Sequence, residues 1–204
     1  MAKLTMPLHM LFEEIKLESE SVKLLPLKKE HAKDLTIASS DGKLWELWFT
    51  SVPTEKTIDD YIKKALLEKD KGTALPFIVL DKKTNKIVGS TRFCNADLVN
   101  QRLEIGYTWY SKSYQRSSIN TECKSLLLKY AFETLHVIAV EFRTHWHNQV
   151  SRNAISRLGA KQDGVLRNHQ NINGVYRDTV VFSILDSEWA SVQLNLAYKL
   201  SRYR

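Results

Sequence analysis

The sequence predicts a mixed α/β (α+β) architecture: a central, mostly antiparallel sheet flanked by helices on both faces. Three observations predict it. Runs with the two-residue period of a strand alternate along the chain with runs at the 3.6-residue period of an amphipathic helix. Polar turns join successive strands into hairpins. No repeat or low-complexity linker divides the 204 residues, a length that fits one domain with a real core. The expected division is an N-terminal extension over 1–16 and a single domain over 17–204.

The elements follow in order. Val22 to Leu27 reads as a strand, and Lys28 to Ser39 as a helix with Ala32, Leu35 and Ala38 on one face. Thr57 opens a second helix, in which Ile58, Tyr61, Ile62, Ala65 and Leu66 recur at helical spacing. It ends near Gly72, where glycine can take positive φ. Leu75 to Leu80 is an apolar strand that returns through the polar turn Asp81 to Lys86 into Ile87 to Phe93, an antiparallel hairpin. In the strand Arg102 to Tyr110, alternation puts Leu103, Ile105, Tyr107 and Trp109 on one face, with Glu104 and Thr108 on the other. Asn120 to Leu135 is the central helix, with Leu128, Ala131, Phe132 and Leu135 inward. Val137 to Trp146 is a strand, and Asn148 to Leu158 is a helix capped by Asn148 and stopped by Gly159. Two closing strands, Gly164 to His169 and Val175 to Leu185, turn at Asn173-Gly174, and Ser187-Glu188-Trp189 opens the last helix.

Composition narrows the function classes. Hydrophobic content of 43% and charged content of 26% are those of an ordinary globular protein. Cys94 and Cys123 form neither a disulfide framework nor zinc spacing, so both read as small core residues in a reducing, cytoplasmic setting. No apolar run approaches membrane-spanning length. Lys3, Pro7 and His9 interrupt the apolar N-terminus and Glu13-Glu14 follow it, which argues against a secretory signal. The net charge of +7 points to anionic partners. The segment Tyr198 to Arg204 concentrates base with aromatics; it reads as a solvated helix end rather than a specific nucleic-acid contact. His145 and His147 alternate at a strand end, but no third ligand is evident, so no metal is expected.

One stretch carries chemistry. The strand Arg102 to Trp109 runs into the short polar loop Gln115-Arg116-Ser117-Ser118-Ile119-Asn120, and a helix opens directly after it. Unpaired N–H groups and the positive dipole end at such a junction hold phosphate. Glu104, on the strand just before, sets a potential proton acceptor beside it. The pair suggests a phosphorylated cofactor acting on a nucleophile that must lose a proton.

Several segments, taken in order, resemble the GNAT superfamily of N-acetyltransferases, in its RimJ/RimL-like branch of ribosomal-protein N-terminal acetyltransferases. Ser21 to Leu27 followed by Glu30-His31 looks like the branch's opening strand and helix, and Ile87 to Thr91 like its third strand. Glu104 to Tyr107 looks like the fourth strand, and Asn120-Thr121-Glu122 with Lys124 like the start of the coenzyme helix. Asn148 to Ser151, running on to Leu158-Gly159-Ala160, is similar to the Asn-x-x-Ser helix; Val165 to Arg167 and Tyr176 to Thr179 resemble the closing strands. The resemblance covers the chain from Leu17 onward.

The resemblance implies the GNAT fold, acetyl-coenzyme A (acetyl-CoA) as cosubstrate without a metal, and a primary amine as acceptor. A protein N-terminus and a small-molecule amine are both candidates, ribosome association is among the implied partnerships, and a monomer or homodimer is expected. It casts Gln115, Arg116, Ser117, Ser118, Ile119 and Asn120 as the diphosphate loop, with Trp109 and Asn148 completing the cofactor contacts. It casts Glu104 as general base, through water, and Ser151 as proton donor to the leaving thiolate, because Ile155 stands where the superfamily tyrosine would fall. Trp45, Trp48 and Asp178 are implied acceptor-side residues, although Asp178 also suits a pairing with Arg167 or Arg177. The chain departs from the family at Ser118, where glycine is favoured, and at Asn120, where small residues are. That departure leaves open an alternative: a non-catalytic, acyl-CoA-binding sensor or assembly module.

Overall fold

The computed structural model describes residues 14–172 and 174–203. Most of the expected extension over 1–16, and Asn173 of the closing turn, lie outside the described residues. The elements are β1 (Leu17–Glu18), β2 (Val22–Pro26), α1 (Ala32–Ser40), α2 (Ile58–Asp70), β3 (Ala74–Asp81), β4 (Lys86–Asp97), β5 (Arg102–Tyr110), α3 (Ile119–Lys129), β6 (Ala139–His145), α4 (Gln149–Leu158), β7 (Lys161–Ile172), β8 (Val175–Leu185) and α5 (Asp186–Ser201). The strands form one sheet in the order β1-β2-β3-β4-β5-β6-β8-β7. Every neighbouring pair is antiparallel except β5 and β6.

Two cores cover the sheet's faces. On one face, Ile119, Cys123, Leu127 and Leu128 of α3, Ile155 and Leu158 of α4, and Trp189, Val192 and Leu196 of α5 pack against Phe77, Phe93, Leu103, Ile105, Phe142 and Phe182. On the other, Leu35 and Ala38 of α1 and Ile58, Ile62 and Ala65 of α2 pack against Ile78 and Trp109. The inward residues of these helices are those that helical periodicity selects.

The helix expected over 120–135 is α3 followed by a wider π turn over 130–134, in which the Leu135 N–H reaches the Tyr130 carbonyl at 3.0 Å. The stack of Phe132 on Trp189, centroids 5.4 Å apart, ties that turn to α5. β7 is longer than expected. It pairs only with β8 at the sheet edge and is exposed along most of its length, so no hydrophobic alternation marks its ends. α4 ends as expected: Gly159 takes φ 108° as its C-cap.

A lysine is buried in the first core. Lys124 Nζ donates to Thr108 Oγ1 at 2.6 Å and Thr91 Oγ1 at 3.2 Å, and the residue is only 4% exposed. Among the described residues no carboxylate pairs with it, and desolvation lowers its pKa to about 7. Because the folded value lies below the unfolded one, the unfolded chain binds more protons between those two values. This group therefore makes stability rise as pH increases from about 7 toward the ordinary lysine value. Lys124→Met should raise the midpoint of chemical denaturation at pH 7, and the gap from wild type should shrink toward pH 10. A constant gap across that range would show that the buried charge is not its cause.

Candidate functional site

The site is built where two strands part. β5 and β6 run parallel only through the pairs Arg102–Ala139, Leu103–Val140 and Glu104–Glu141. Beyond Glu104, β5 continues to Tyr110 beside β4, and β6 continues to His145 beside β8, so a wedge opens between them. Glu104 stands at its apex.

A β-bulge deforms β5 inside the wedge. The register with β4 slips between Ser90–Trp109 and Arg92–Gly106, and Tyr107 takes φ 50°. The slip breaks the simple alternation expected for this strand. Leu103 and Ile105 face the α3 side as expected, but Trp109 lies in the α1–α2 core, with its ring N–H on Tyr61 Oη at 3.3 Å. Thr108, expected beside Glu104, instead faces α3 and Lys124. The Trp109 ring thus packs against α1 and α2. A left-handed, non-glycine Tyr107 costs on the order of 1 kcal/mol and persists only where its surroundings hold it. The surroundings here are Arg92, 1% exposed, whose guanidinium lies 3.9 Å from the Tyr107 ring centroid and 2.9 Å from Glu68 Oε2.

Glu104 is 8% exposed. Its Oε2 accepts from Asn95 Nδ2 at 2.8 Å and lies 3.6 Å from Arg143 Nε. Desolvation raises its pKa, opposed by the Asn95 hydrogen bond and the Arg143 charge. Its Oε1 hangs over Gly106, where a Cβ would come within 3.0 Å of it and 3.2 Å of Cys94 Sγ. Glycine at 106 therefore leaves the space this carboxylate occupies. Asn95 and Arg143 were not singled out from the sequence, because strand pairing alone brings them to Glu104. Both cysteines are buried, and desolvation pushes the Cys123 thiol up to about 12 and Cys94 higher still, which removes them as nucleophiles.

The loop to α3 turns its side chains back onto the protein. Gln115 Nε2 donates to the Tyr110 carbonyl at 3.1 Å, Ser117 Oγ to the Tyr114 carbonyl at 2.6 Å, and Ser118 Oγ to Glu122 Oε1 at 2.7 Å. The helix's first N–H groups have no carbonyl of their own helix to bond. The glycine question resolves at a different residue. Ser118 has an ordinary φ of −67°, and the left-handed residue is Arg116, at φ 62°. The absence of glycine at 118 thus strains no backbone. Glu122 anchors the junction by also accepting from Ser19 Oγ at 2.6 Å and the Ser21 N–H at 3.1 Å. Desolvation alone would raise its pKa, but the hydrogen bonds from Ser19, Ser118 and Ser21 prevail and lower it.

On the opposite wall, Asn148 Oδ1 accepts the Ser151 N–H at 3.0 Å and caps α4. Ser151 is half-buried in that first turn. The segment between α1 and α2 arches over to the end of β6. The Trp48 ring meets Phe49 at 5.6 Å, His145 at 4.9 Å and His147 at 5.7 Å. Trp48 nevertheless remains 67% exposed, whereas Trp45 is half-buried. Phe49 joins this cluster without any signal in the sequence that separates it from a core residue. Asp178 takes the pairing role: Oδ2 meets Arg167 Nε at 2.5 Å and Oδ1 accepts the Asn168 N–H at 2.8 Å. Among the described residues, no group of three or more His, Cys, Asp or Glu side chains is placed to hold a metal.

A wedge between parallel strands, an acid at its apex and a helix N-terminus at its mouth define an acyl-transferase scaffold. Residues 21–161 match the model of the acetyltransferase (GNAT) domain, and the chain belongs to the GNAT acetyltransferase family. It is 34% identical over 103 residues to YdaF of Bacillus subtilis (strain 168), covering 50% of this chain and 56% of that protein. It is 25% identical over 120 residues to the ribosomal protein uS5-alanine N-acetyltransferase of Escherichia coli (strain K12), covering 58% of this chain and 61% of that protein. The chain thus spans little more than half the length of these two relatives. A solved GCN5-related N-acetyltransferase from Brucella melitensis superposes with a TM-score of 0.81 at 29% identity, covering 91% of this chain and 85% of that one. The GNAT fold and the RimJ/RimL-like kinship implied by the sequence are both supported by these relatives.

Glu122→Ala should cost about 1–3 kcal/mol, because it strands three donors at the root of α3. Since the folded pKa is depressed, this stabilisation is present above the unfolded value of 4.5 and is lost as pH falls through the folded one. Urea denaturation at pH 7 and in acid should show the gap from wild type closing in acid. An equal gap at both pH values would exclude the charge as its source.

Proposed function

We propose that this protein transfers an acetyl group from acetyl-CoA to a primary amine by direct attack within a ternary complex. The observation that carries the reading is the buried Glu104 at the apex of the β5–β6 wedge, with the α3 N-terminus at the wedge's mouth. The residues fit the cosubstrate. With Gln115, Ser117 and Ser118 turned back onto the protein, the backbone N–H groups of this loop and the first turn of α3 suit a diphosphate, apart from that of Ile119, which reaches Ser117 Oγ at 3.4 Å. Asn148, on the other wall, suits the pantetheine arm. Bound there, acetyl-CoA supplies an activated acyl thioester.

The protein's own residues then have distinct tasks. An amine is protonated at neutral pH and must lose a proton before it can attack. Glu104 takes that proton, through water; the pKa raised by burial makes it a better acceptor than an exposed carboxylate. Ser151, in the positive field of the α4 N-terminus, donates its hydroxyl hydrogen toward the departing sulfur. Trp45 and Trp48 line the acceptor side, with the aromatic group Trp48, Phe49, His145 and His147 as its rim. Asp178, engaged by Arg167, shapes that rim rather than binding the amine directly. The acceptor we favour is a protein N-terminus, in the manner of the E. coli relative named for ribosomal protein uS5, with a cytoplasmic site of action.

Glu104→Gln should retain the fold and coenzyme affinity but lower kcat by about 10²-fold, with partial recovery at high pH where free amine is plentiful. In the wild type, kcat/KM should fall as pH drops through the raised Glu104 pKa, because the protonated carboxyl cannot accept. The Gln variant should lack this acid limb. A steady-state pH profile that is the same in both proteins would remove Glu104 from the mechanism.

Ser151→Ala should lower turnover by about 10- to 10³-fold with coenzyme affinity nearly intact, since Asn148 still caps the helix. A thiol-release assay paired with calorimetry checks this. A loss explained wholly by weaker binding would make Ser151 a positioning residue.

A further inference from the structure

The basic, aromatic C-terminus has a place in the fold that the transfer site does not use. Lys199, Arg202 and Tyr203, at the end of α5, close with Arg157, in the last turn of α4, around a hollow whose remaining wall is Thr121. Thr121 belongs to the first turn of α3, one residue beyond Asn120. At about 1.5 Å of rise per residue, the hollow lies within roughly a helical turn of the amides proposed to hold the diphosphate.

The charges in this hollow are gathered without a carboxylate beside them among the described residues. Lys199 Nζ donates to the Arg157 carbonyl and so ties the ends of α4 and α5 together. The Arg202 guanidinium sits 5.8 Å from the Tyr198 ring centroid. Among the described residues, none of the three cations pairs with a carboxylate. Burial and the nearby Arg157 charge hold the Lys199 pKa below the usual lysine value. Like charges held together favour an anion between them.

We infer that this hollow seats the 3′-phosphate on the ribose of the coenzyme, with Arg157 and Arg202 as its ligands and Lys199 holding the two helix ends in place. The inference rests on the acetyl-CoA reading above and adds a discrimination to it. Coenzyme A bears a phosphate monoester one ribose ring away from its diphosphate, a separation that matches the neighbouring placement of hollow and loop. Such a monoester carries nearly two negative charges at neutral pH. Guanidinium forks match its oxygens in pairs. The C-terminal helix thereby becomes part of coenzyme recognition rather than a solvated chain end.

Calorimetry on the full chain tests this with two probes, coenzyme A and 3′-dephospho-coenzyme A. Wild type should bind coenzyme A about 10-fold or more tighter than the dephospho form. Arg157 and Arg202 are both exposed, so an Arg157→Gln/Arg202→Gln variant should fold normally, as circular dichroism will report. That variant should bind coenzyme A only as tightly as 3′-dephospho-coenzyme A, with its affinity for the latter unchanged. Adenosine 3′,5′-bisphosphate should compete with coenzyme A on wild type and lose that ability on the variant. Equal wild-type affinity for the two coenzymes would overturn the 3′-phosphate seat while leaving the acetyl-CoA reading standing. A parallel loss of both in the variant would overturn it too. Failure of wild type to bind either coenzyme at millimolar concentration would overturn both readings.

Discussion

The parting of β5 from β6 after Glu104 is the constraint on which the rest of this structure depends. Two parallel strands that stop pairing leave backbone donors and acceptors to be satisfied elsewhere. β6 keeps its other edge paired with β8 up to His145–Thr179, so its wedge-facing edge is left open. β5 likewise keeps its other edge on β4, through a bulge. The same event opens the wedge, sets Glu104 at its apex and frees the loop after β5 to deliver α3 at the wedge's mouth.

The bulge then decides which side chains face where. By inserting a residue near Tyr107 it reverses the alternation of the second half of β5, sending Trp109 to α1 and α2 and Thr108 to α3. Both surfaces hold it in place. Arg92, pinned by Glu68 and lying against Tyr107 and Tyr61, packs from one side. Lys124, bonded to Thr91 and Thr108, packs from the other. A buried lysine without a carboxylate is an expensive device, and its position directly behind the bulge gives it a physical purpose: it fixes the hydroxyls of the two strands on either side of the register slip.

Charge is distributed by the same logic. Carboxylates cluster around the wedge's apex, where Glu104 and Glu141 share Arg143. The coenzyme-facing side instead presents a helix N-terminus and, further out, the cations of α4 and α5. Glu122 is the one acid at the root of that helix, and its oxygens are turned away from the loop amides toward Ser19, Ser21 and Ser118. An acid there can brace the loop without contributing an unpartnered negative charge to the phosphate site.

Element order from β2 onward, the inward faces of α1, α2 and α3, the caps of α4 and the strand–loop–helix junction were legible in the sequence, because each rests on local periodicity or on one residue's backbone preference; the two-residue β1 is too short to show a period. Glu104 and the Gln115 to Asn120 loop were legible for the same reason: both belong to one contiguous segment. Only the tertiary structure decided the faces of Trp109 and Thr108, since a bulge is a property of two paired strands and leaves no period in either. It also put the loop's left-handed backbone at Arg116, while Ser118 takes an ordinary φ. The Trp48 cluster, the Asn95–Glu104–Arg143 contacts and the basic hollow at Thr121 join residues far apart in the chain. Sequence spacing carries no information about such meetings; the order in which strands pair and helices cross the sheet determines them.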